Sequence, residues 1–216
     1  MAPRSRFSTA IRKTAKVHNA AEHHEAKVAV RRLVLQAVGG QVFDAFAGAG
    51  VMYRRVWREA PGYCGCDLLW SRDDRLAFVA DNRRVLRAID LQPYSIFDLD
   101  AHGSPWEQAW IVASRRLVAP GERVGLVLTE GSGLKLKMGG YPRALLWIAG
   151  LEGTPSGGAA LHGEIIGRAL RRLAMAMCCR LADRWEAKGK TGAAVRYLGL
   201  VFVGEKKSPP AGGRRA

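Results

Sequence analysis

The 216-residue sequence predicts an α/β fold, doubly wound, with a mostly parallel seven-stranded sheet and helices on both faces. Three observations predict it. Short apolar runs of strand length alternate with stretches of helical periodicity. The fifth of these runs, Val124 to Leu128, is apolar throughout, as strands covered on both faces are. A Gly-Ala-Gly turn joins the first run to the helix behind it, and acids close the runs that follow.

Six of the strands can be located in order. A basic helical segment comes first, from about Ser8 to Val38, with Val28, Leu33, Val34 and Val38 on its apolar side and Arg31 and Arg32 on its solvated side. Gly39-Gly40 ends it. Gln41 to Phe46 reads as a buried strand, Gly48 to Gly50 as a tight turn, and Val51 to Arg58 as a helix stopped near Pro61. Gly62 to Asp67 and Leu76 to Ala80 are the next two strands, then Arg83 to Ile89 is helical. Ser95 to Leu99 is the fourth strand, Trp106 to Leu117 a helix, and Val124 to Leu128 the fifth strand. A loop bearing Gly and Lys runs from Gly131 to Gly140. Leu161 to Ala187 reads as the longest helix, because Ile166, Leu170, Leu173, Met177, Leu181 and Trp185 recur every three or four residues. Val195 to Val203 is a last strand, near an edge or antiparallel. The domain plan is a helical basic segment at 1–40, the α/β domain at 41–204, and a disordered basic tail at 205–216.

Composition narrows the class. Hydrophobic residues make up 48% and charged residues 25%, a globular balance. No apolar run is long enough to span a bilayer, and the basic N-terminus lacks a secretory core, so a cytoplasmic protein without membrane contact is expected. Cys64, Cys66, Cys178 and Cys179 form no CxxC pair and read as reduced core thiols. His23 and His24 are neighbours facing different sides of a helix, so no metal site is expected. The net charge is +15, with 34 Lys and Arg against 19 Asp and Glu, which favours polyanion partners.

Open α/β sheets bind ligands beyond the carboxyl ends of their strands, so the residues there carry the chemistry. In Asp44-Ala45-Phe46-Ala47-Gly48-Ala49-Gly50 the glycines let the backbone approach a ligand, and Asp44 suits a ligand ammonium. Asp67 can accept both hydroxyls of a ribose, with Leu68 against an adenine face. Asp81 can accept from an adenine amino group or cap the next helix. Asp98 and Asp100 lie on one side of the fourth strand, ahead of Ala101, His102, Gly103, Ser104, Pro105 and Trp106. His102 and Trp106 offer planar faces for a nucleobase, Trp106 being the better suited to structural support. His162 and Glu164 either cap the long helix or border a substrate cleft.

Asp44 to Gly50 with the later Asp67 resembles motif I of the class I, Rossmann-like, S-adenosylmethionine-dependent methyltransferases. Asp100 to Pro105 resembles the Asp-Pro-Phe-Gly-Ser-Pro segment of the tRNA (guanine-N2)-dimethyltransferase family, with Ala101 and His102 replacing Pro and Phe. Gly139-Gly140-Tyr141-Pro142 and His162-Gly163-Glu164 are also similar to that family. The resemblance implies S-adenosyl-L-methionine as cofactor, held by Asp44, Phe46, Gly48, Gly50, Asp67, Leu68, Asp81 and Asp98. It implies methyl transfer to an exocyclic amino group of a nucleobase, guanine N2 in tRNA or other RNA. Asp100 and His102 are the catalytic candidates; Ala101, Ser104, Pro105, Trp106, Lys135 and Lys137 are the substrate-binding ones. Asp100 and the Ala101 carbonyl would accept the amino hydrogens, and His102 would stack or act as a base. Arg12, Lys13, Lys16 and Arg143 join the two lysines as phosphate contacts. The partner is nucleic acid, RNA ahead of DNA, with a separate RNA-binding protein as a further partner, since the chain is shorter than those enzymes. The competing readings are a DNA amino methyltransferase acting on adenine N6 or cytosine N4, a small-molecule methyltransferase, and a non-catalytic nucleic-acid-binding module with a relic Rossmann fold. A nicotinamide enzyme is disfavoured because the first loop lacks GxGxxG.

Overall fold

The computed structural model describes residues 21–69, 73–132, 135–136, 140–156, 158–188 and 195–206. Arg12, Lys13, Lys16, Lys137 and most of the basic tail lie outside the described residues, as does the first part of the helix expected from Ser8. The seven-stranded sheet runs in the order β3-β2-β1-β4-β5-β7-β6. Its parallel strands are β1 (Gln41–Asp44), β2 (Gly62–Asp67), β3 (Ala77–Val79), β4 (Tyr94–Leu99) and β5 (Arg123–Glu130). β7 (Arg196–Gly204) pairs antiparallel with β5, and β6 (Cys179–Lys188) pairs antiparallel with β7 on the outer edge. The expected doubly wound sheet is therefore present, and the last strand is antiparallel but interior. Strand order reverses between β1 and β4, which opens a crevice at their carboxyl ends.

Alternation along each strand sends apolar side chains to two cores. Val42, Ile96 and Val127 meet α1 (Ala21–Val38), α2 (Val51–Arg55) and the 3-10 turn Trp57–Glu59. Phe43, Phe97, Leu126 and Leu128 meet α3 (Asn82–Ala88), α4 (Trp106–Arg115), α5 (Arg143–Ile148) and α6 (Gly158–Ala176). No helix among the described residues is long and apolar enough to cross a membrane. Cys64, Cys66 and Cys179 are buried, and all four cysteines are free.

Two sequence expectations are corrected. The helix expected over Leu161–Ala187 is α6 to Ala176 followed by β6. Cys178 adopts the left-handed conformation at φ 57, which stops the helix, and Cys179 opens a strand. The stripe through Leu181 and Trp185 fits either period, and pairing with β7 decides for strand. Arg184, Glu186 and Lys188 then face solvent along the edge, a charged border that discourages further strand addition. The second correction concerns α1. Leu33 is 38% exposed, whereas Arg31 is fully buried with Lys27, Val28, Val30 and Val34 on the face against the sheet. This face packs on β4, β5, β6 and β7, so α1 is one layer of the sheet domain.

Two glycines permit that docking. A Cβ on Gly199 would stand 2.8 Å from Val30 Cγ1 and 2.9 Å from Val34 Cγ2, and one on Gly125 would stand 2.5 Å from Val34 Cγ1. Gly199→Ala is therefore expected to lower the unfolding free energy by about 1–3 kcal/mol through overpacking. Urea denaturation followed by circular dichroism checks it; an unchanged midpoint would refute the close approach of α1.

Candidate functional site

The crevice at the carboxyl ends of β1 and β4 is lined by His24 and Lys27 of α1, Asp44, Phe46 to Ala49, Val51, Met52, Asp98 and Asp100, around a cavity of about 140 Å³. Gly48 and Gly50 have φ 44 and 73, the left-handed region glycine tolerates. Gly50 closes the turn by donating its amide to the Ala47 carbonyl, 2.9 Å away. Asp67 at the end of β2 accepts the Gly48 amide at 2.9 Å and the Leu69 amide at 3.0 Å, tying the turn to the neighbouring strand. Arg75 clasps the same turn, donating to the carbonyls of Ala47 at 3.0 Å and Gly48 at 2.8 Å while pairing with Asp73.

Below the turn, two carboxylates meet two cations, and a third acid, Asp44, lies beside them. Asp98 is buried and receives Arg31 through Nε at 2.7 Å and Nη2 at 2.8 Å, and Trp57 Nε1 at 2.7 Å. Arg31 Nη2 also reaches Asp100 at 3.3 Å, and Lys27 Nζ stands 2.8 Å from both Asp100 oxygens. Burial works against the charge of Arg31, but Asp98 and Asp100 outweigh it and raise its pKa. Burial likewise pushes the Asp100 carboxyl up, and Arg31 with Lys27 overcomes it, leaving it below the ordinary carboxylate range. Asp44 has no cation in direct contact among the described residues; it accepts from the Phe46 amide at 3.1 Å and the Tyr63 hydroxyl at 3.0 Å. Burial first, and the Asp98 carboxylate second, push Asp44 up to about 8.

The crevice thus brings together Asp44, Phe46, Gly48 and Asp100, with Gly50 and Asp67 supporting the turn. Leu68 is 71% exposed on the rim beyond Asp67. Asp81 takes the capping role: it accepts the Arg83 amide at 2.9 Å at the start of α3 and pairs with the Arg83 side chain, which lowers its carboxyl to about 2. The assignment of Asp98 as a cofactor ligand is corrected, because Arg31 and Trp57 occupy its oxygens in a site closed to solvent. Trp106 as a substrate contact is corrected likewise. It is wholly buried, and its indole donates to Glu130.

Beyond β4, Ala101 is buried and His102 exposed, with Ser104 half-buried and Pro105 buried at the start of α4. Gly103, at φ 111, accepts the Gly131 amide at 2.7 Å and joins this turn to the loop after β5. Lys135 is exposed on that loop. His162 and Glu164 cap nothing: both lie inside α6. His162 is buried beside Tyr141, with ring centroids 6.2 Å apart, and burial lowers its pKa to about 4. Glu164 pairs with Arg168. No cluster of metal-binding side chains occurs among the described residues. The sequence reading missed Lys27, Arg31, Trp57, Tyr63 and Arg75. The one available signal was Lys27 and Arg31 at helical i,i+4 spacing beside the buried Val28, Val30 and Val34.

No family model matches the sequence, and no curated protein does. Solved structures do. Trm1 from Pyrococcus horikoshii in complex with S-adenosyl-L-methionine is similar at a TM-score of 0.58 and 17% identity, over 84% of this chain and 54% of that one. The chain thus spans about half the length of that protein. The N-methyltransferase NodS from Bradyrhizobium japonicum, in complex with S-adenosyl-L-homocysteine, is similar at a TM-score of 0.54 and 9% identity, over 88% of this chain and 90% of that one. TYW2 from M. jannaschii, in complex with AdoMet, gives a TM-score of 0.52 and 11% identity, over 87% and 78% of the two chains. The fold is the class I, Rossmann-like methyltransferase fold, as the sequence leads one to expect.

The buried ion cluster has a thermodynamic consequence. Arg31→Leu leaves the carboxylates of Asp98 and Asp100 without their shared cation and is expected to cost about 3–5 kcal/mol. Adding Asp98→Asn, which keeps an acceptor for Trp57, should restore part of the loss. Chemical denaturation of the single and double variants measures both, and a single variant as stable as the parent would contradict the assignment.

Proposed function

We propose that the chain is an S-adenosylmethionine-dependent methyltransferase that modifies an exocyclic amino group of a nucleobase, guanine N2 in tRNA or other RNA. One observation carries the reading. The glycine turn after β1 and the Asp100 turn after β4 border a single crevice at the point where strand order reverses.

The residues present fit the cofactor. A Cβ on Gly48 would find nothing nearer than the Phe46 carbonyl at 3.8 Å and Asp67 Oδ2 at 4.0 Å, so a ligand can lie directly over the turn. Asp44 would take the ammonium, with Lys27 and His24 available to the carboxylate across the same cavity. Asp67 would hold the ribose and Leu68 one adenine face. When bound, the cofactor supplies an electrophilic methyl group on a sulfonium.

Asp100 would accept one hydrogen of the target amino group. A carboxylate offers about four lone-pair sites. Lys27 reaches both oxygens and Arg31 stands 3.3 Å from one of them, so the substrate hydrogen would join a carboxylate already held in place by two cations. The Ala101 carbonyl, unbonded among the described residues, would accept the second hydrogen. These acceptors orient the nitrogen lone pair toward the methyl donor, a positioning and electrostatic effect. A carboxylate held below its usual range by two cations is a poor proton store, so Asp100 serves as an acceptor of hydrogen bonds first, and the proton displaced on methylation would pass on to solvent. His102, exposed at the mouth, would stack on the base, and Ser104 with Pro105 would shape its entrance.

Methyl transfer from labelled cofactor to total tRNA, rRNA, DNA and a metabolite extract tests the substrate class. Label in tRNA or rRNA supports the proposal; label only in DNA or metabolites overturns its RNA assignment. Asp100→Asn and Asp100→Ala should bind S-adenosyl-L-homocysteine like the parent but transfer about 100-fold more slowly or worse. Turnover at the parent rate by both removes the assigned role.

Asp44 predicts a proton linkage. At pH 6.5 the free site holds Asp44 protonated, since its pKa lies near 8. An ammonium ligand favours the carboxylate, so binding should release close to one proton at pH 6.5, where the ligand's amino group is already protonated. Calorimetry in buffers of different ionisation enthalpy reads this directly; Asp44→Asn should abolish the release, and release undiminished in that variant would argue against the ammonium contact.

A further inference from the structure

A second concavity lies away from the crevice. The segment from Tyr141 through α5 to Thr154, together with Arg172 of α6, encloses an open groove of about 820 Å³. α5 buries Leu145, Leu146 and Ile148 in the core and leaves Trp147 56% exposed on the groove side. Trp147 is held edge-to-face by Trp110, with ring centroids 4.9 Å apart and planes at 88°. An exposed indole kept in one orientation is a ready stacking platform.

The charges beside it are unspent. Arg143 and Arg172 line the groove, are exposed, and form no ion pair or hydrogen bond among the described residues. By contrast, Arg168 on the same helix as Arg172 is paired with Glu164. Glu152 is the one acid among the described lining residues, so the groove carries net positive charge. It begins at Gly140 and Tyr141, later in the chain than Gly131, whose amide bonds to Gly103 in the Asp100 turn.

We infer that this groove binds single-stranded RNA flanking the modified nucleotide, with one base stacked on Trp147 and phosphates on Arg143 and Arg172. The inference rests on the nucleic-acid reading proposed above and adds the surface that holds the strand. A flat indole sharing a groove with two unpaired guanidinium groups fits a base and its adjoining phosphates, and it carries no preference for sequence.

The test is fluorescence anisotropy of an end-labelled single-stranded RNA dodecamer with the full chain across a range of salt concentrations, without cofactor. Trp147→Ala is expected to weaken binding about 5- to 100-fold, and Trp147→Phe to restore part of it. Arg143→Gln with Arg172→Gln should lower the slope of log affinity against log salt by about 1.4, two single-strand phosphate contacts. A control pair at exposed positions elsewhere, Arg58→Gln with Arg84→Gln, should leave the effect of Trp147→Ala intact. Binding by Trp147→Ala and by the Arg143/Arg172 double variant at the parent affinity and slope overturns the groove, even where methyl transfer to RNA succeeds. Failure of the parent to bind RNA, with transfer to metabolites alone, overturns the RNA reading as well as the groove.

Discussion

The Arg31 guanidinium, buried between Asp98 and Asp100, is the interaction on which the site depends. It crosses from α1 to the end of β4 and holds the two carboxylates in one orientation. Two like charges this close to each other and to Asp44 are tolerated in a closed interior only beside a cation that cannot be deprotonated. Trp57 satisfies the remaining demand of Asp98, and Lys27, one helical turn before Arg31, completes that of Asp100. The cluster therefore anchors α1, floors the crevice and presents Asp100 as a carboxylate at its mouth.

Close packing makes that anchor possible. Gly125 and Gly199 let Val30 and Val34 sit directly on the sheet, so the charged end of α1 reaches the strand ends. The turn after β1 is shaped in a comparable way. Asp67 from one side and Arg75 from the other fix its amides and carbonyls, which leaves the surface over Gly48 open. The backbone of the turn is thus held in place by side-chain contacts from two neighbouring segments. On the far side of β5, the Gly103–Gly131 bond links the Asp100 turn to the loop leading toward Trp147.

The legible features were those whose signal is local. Strand-length apolar runs marked β1, β2, β4 and β5 to within a residue or two, and Asp44, Gly48, Gly50 and Asp100 stood at their ends as the turn chemistry requires. Where two local readings competed, a contact decided. Asp81 could cap or bind a ligand, and the Arg83 amide beside it settled on capping. Cys179 to Lys188 carried a stripe compatible with helix, and β7 supplied a row of hydrogen-bonding partners that made it a strand. Arg31 looked solvated because charge on a helix usually is; its partner lies 67 residues away.

By itself the sequence determined the layered α/β architecture, the glycine turn after the first strand and the row of acids at the strand ends, because those follow from periodicity and from backbone conformations only certain residues adopt. Only the tertiary structure decided which acids remain open to a ligand and which are consumed by the fold. Asp98 and Asp100 are two positions apart, chemically identical and both at the cavity wall, yet Asp98 is wholly buried with its oxygens held by Arg31 and Trp57 while Asp100 stays partly exposed. The physical reason is that the fate of a carboxylate is set by burial and by the cations near it in space, and chain neighbours specify neither.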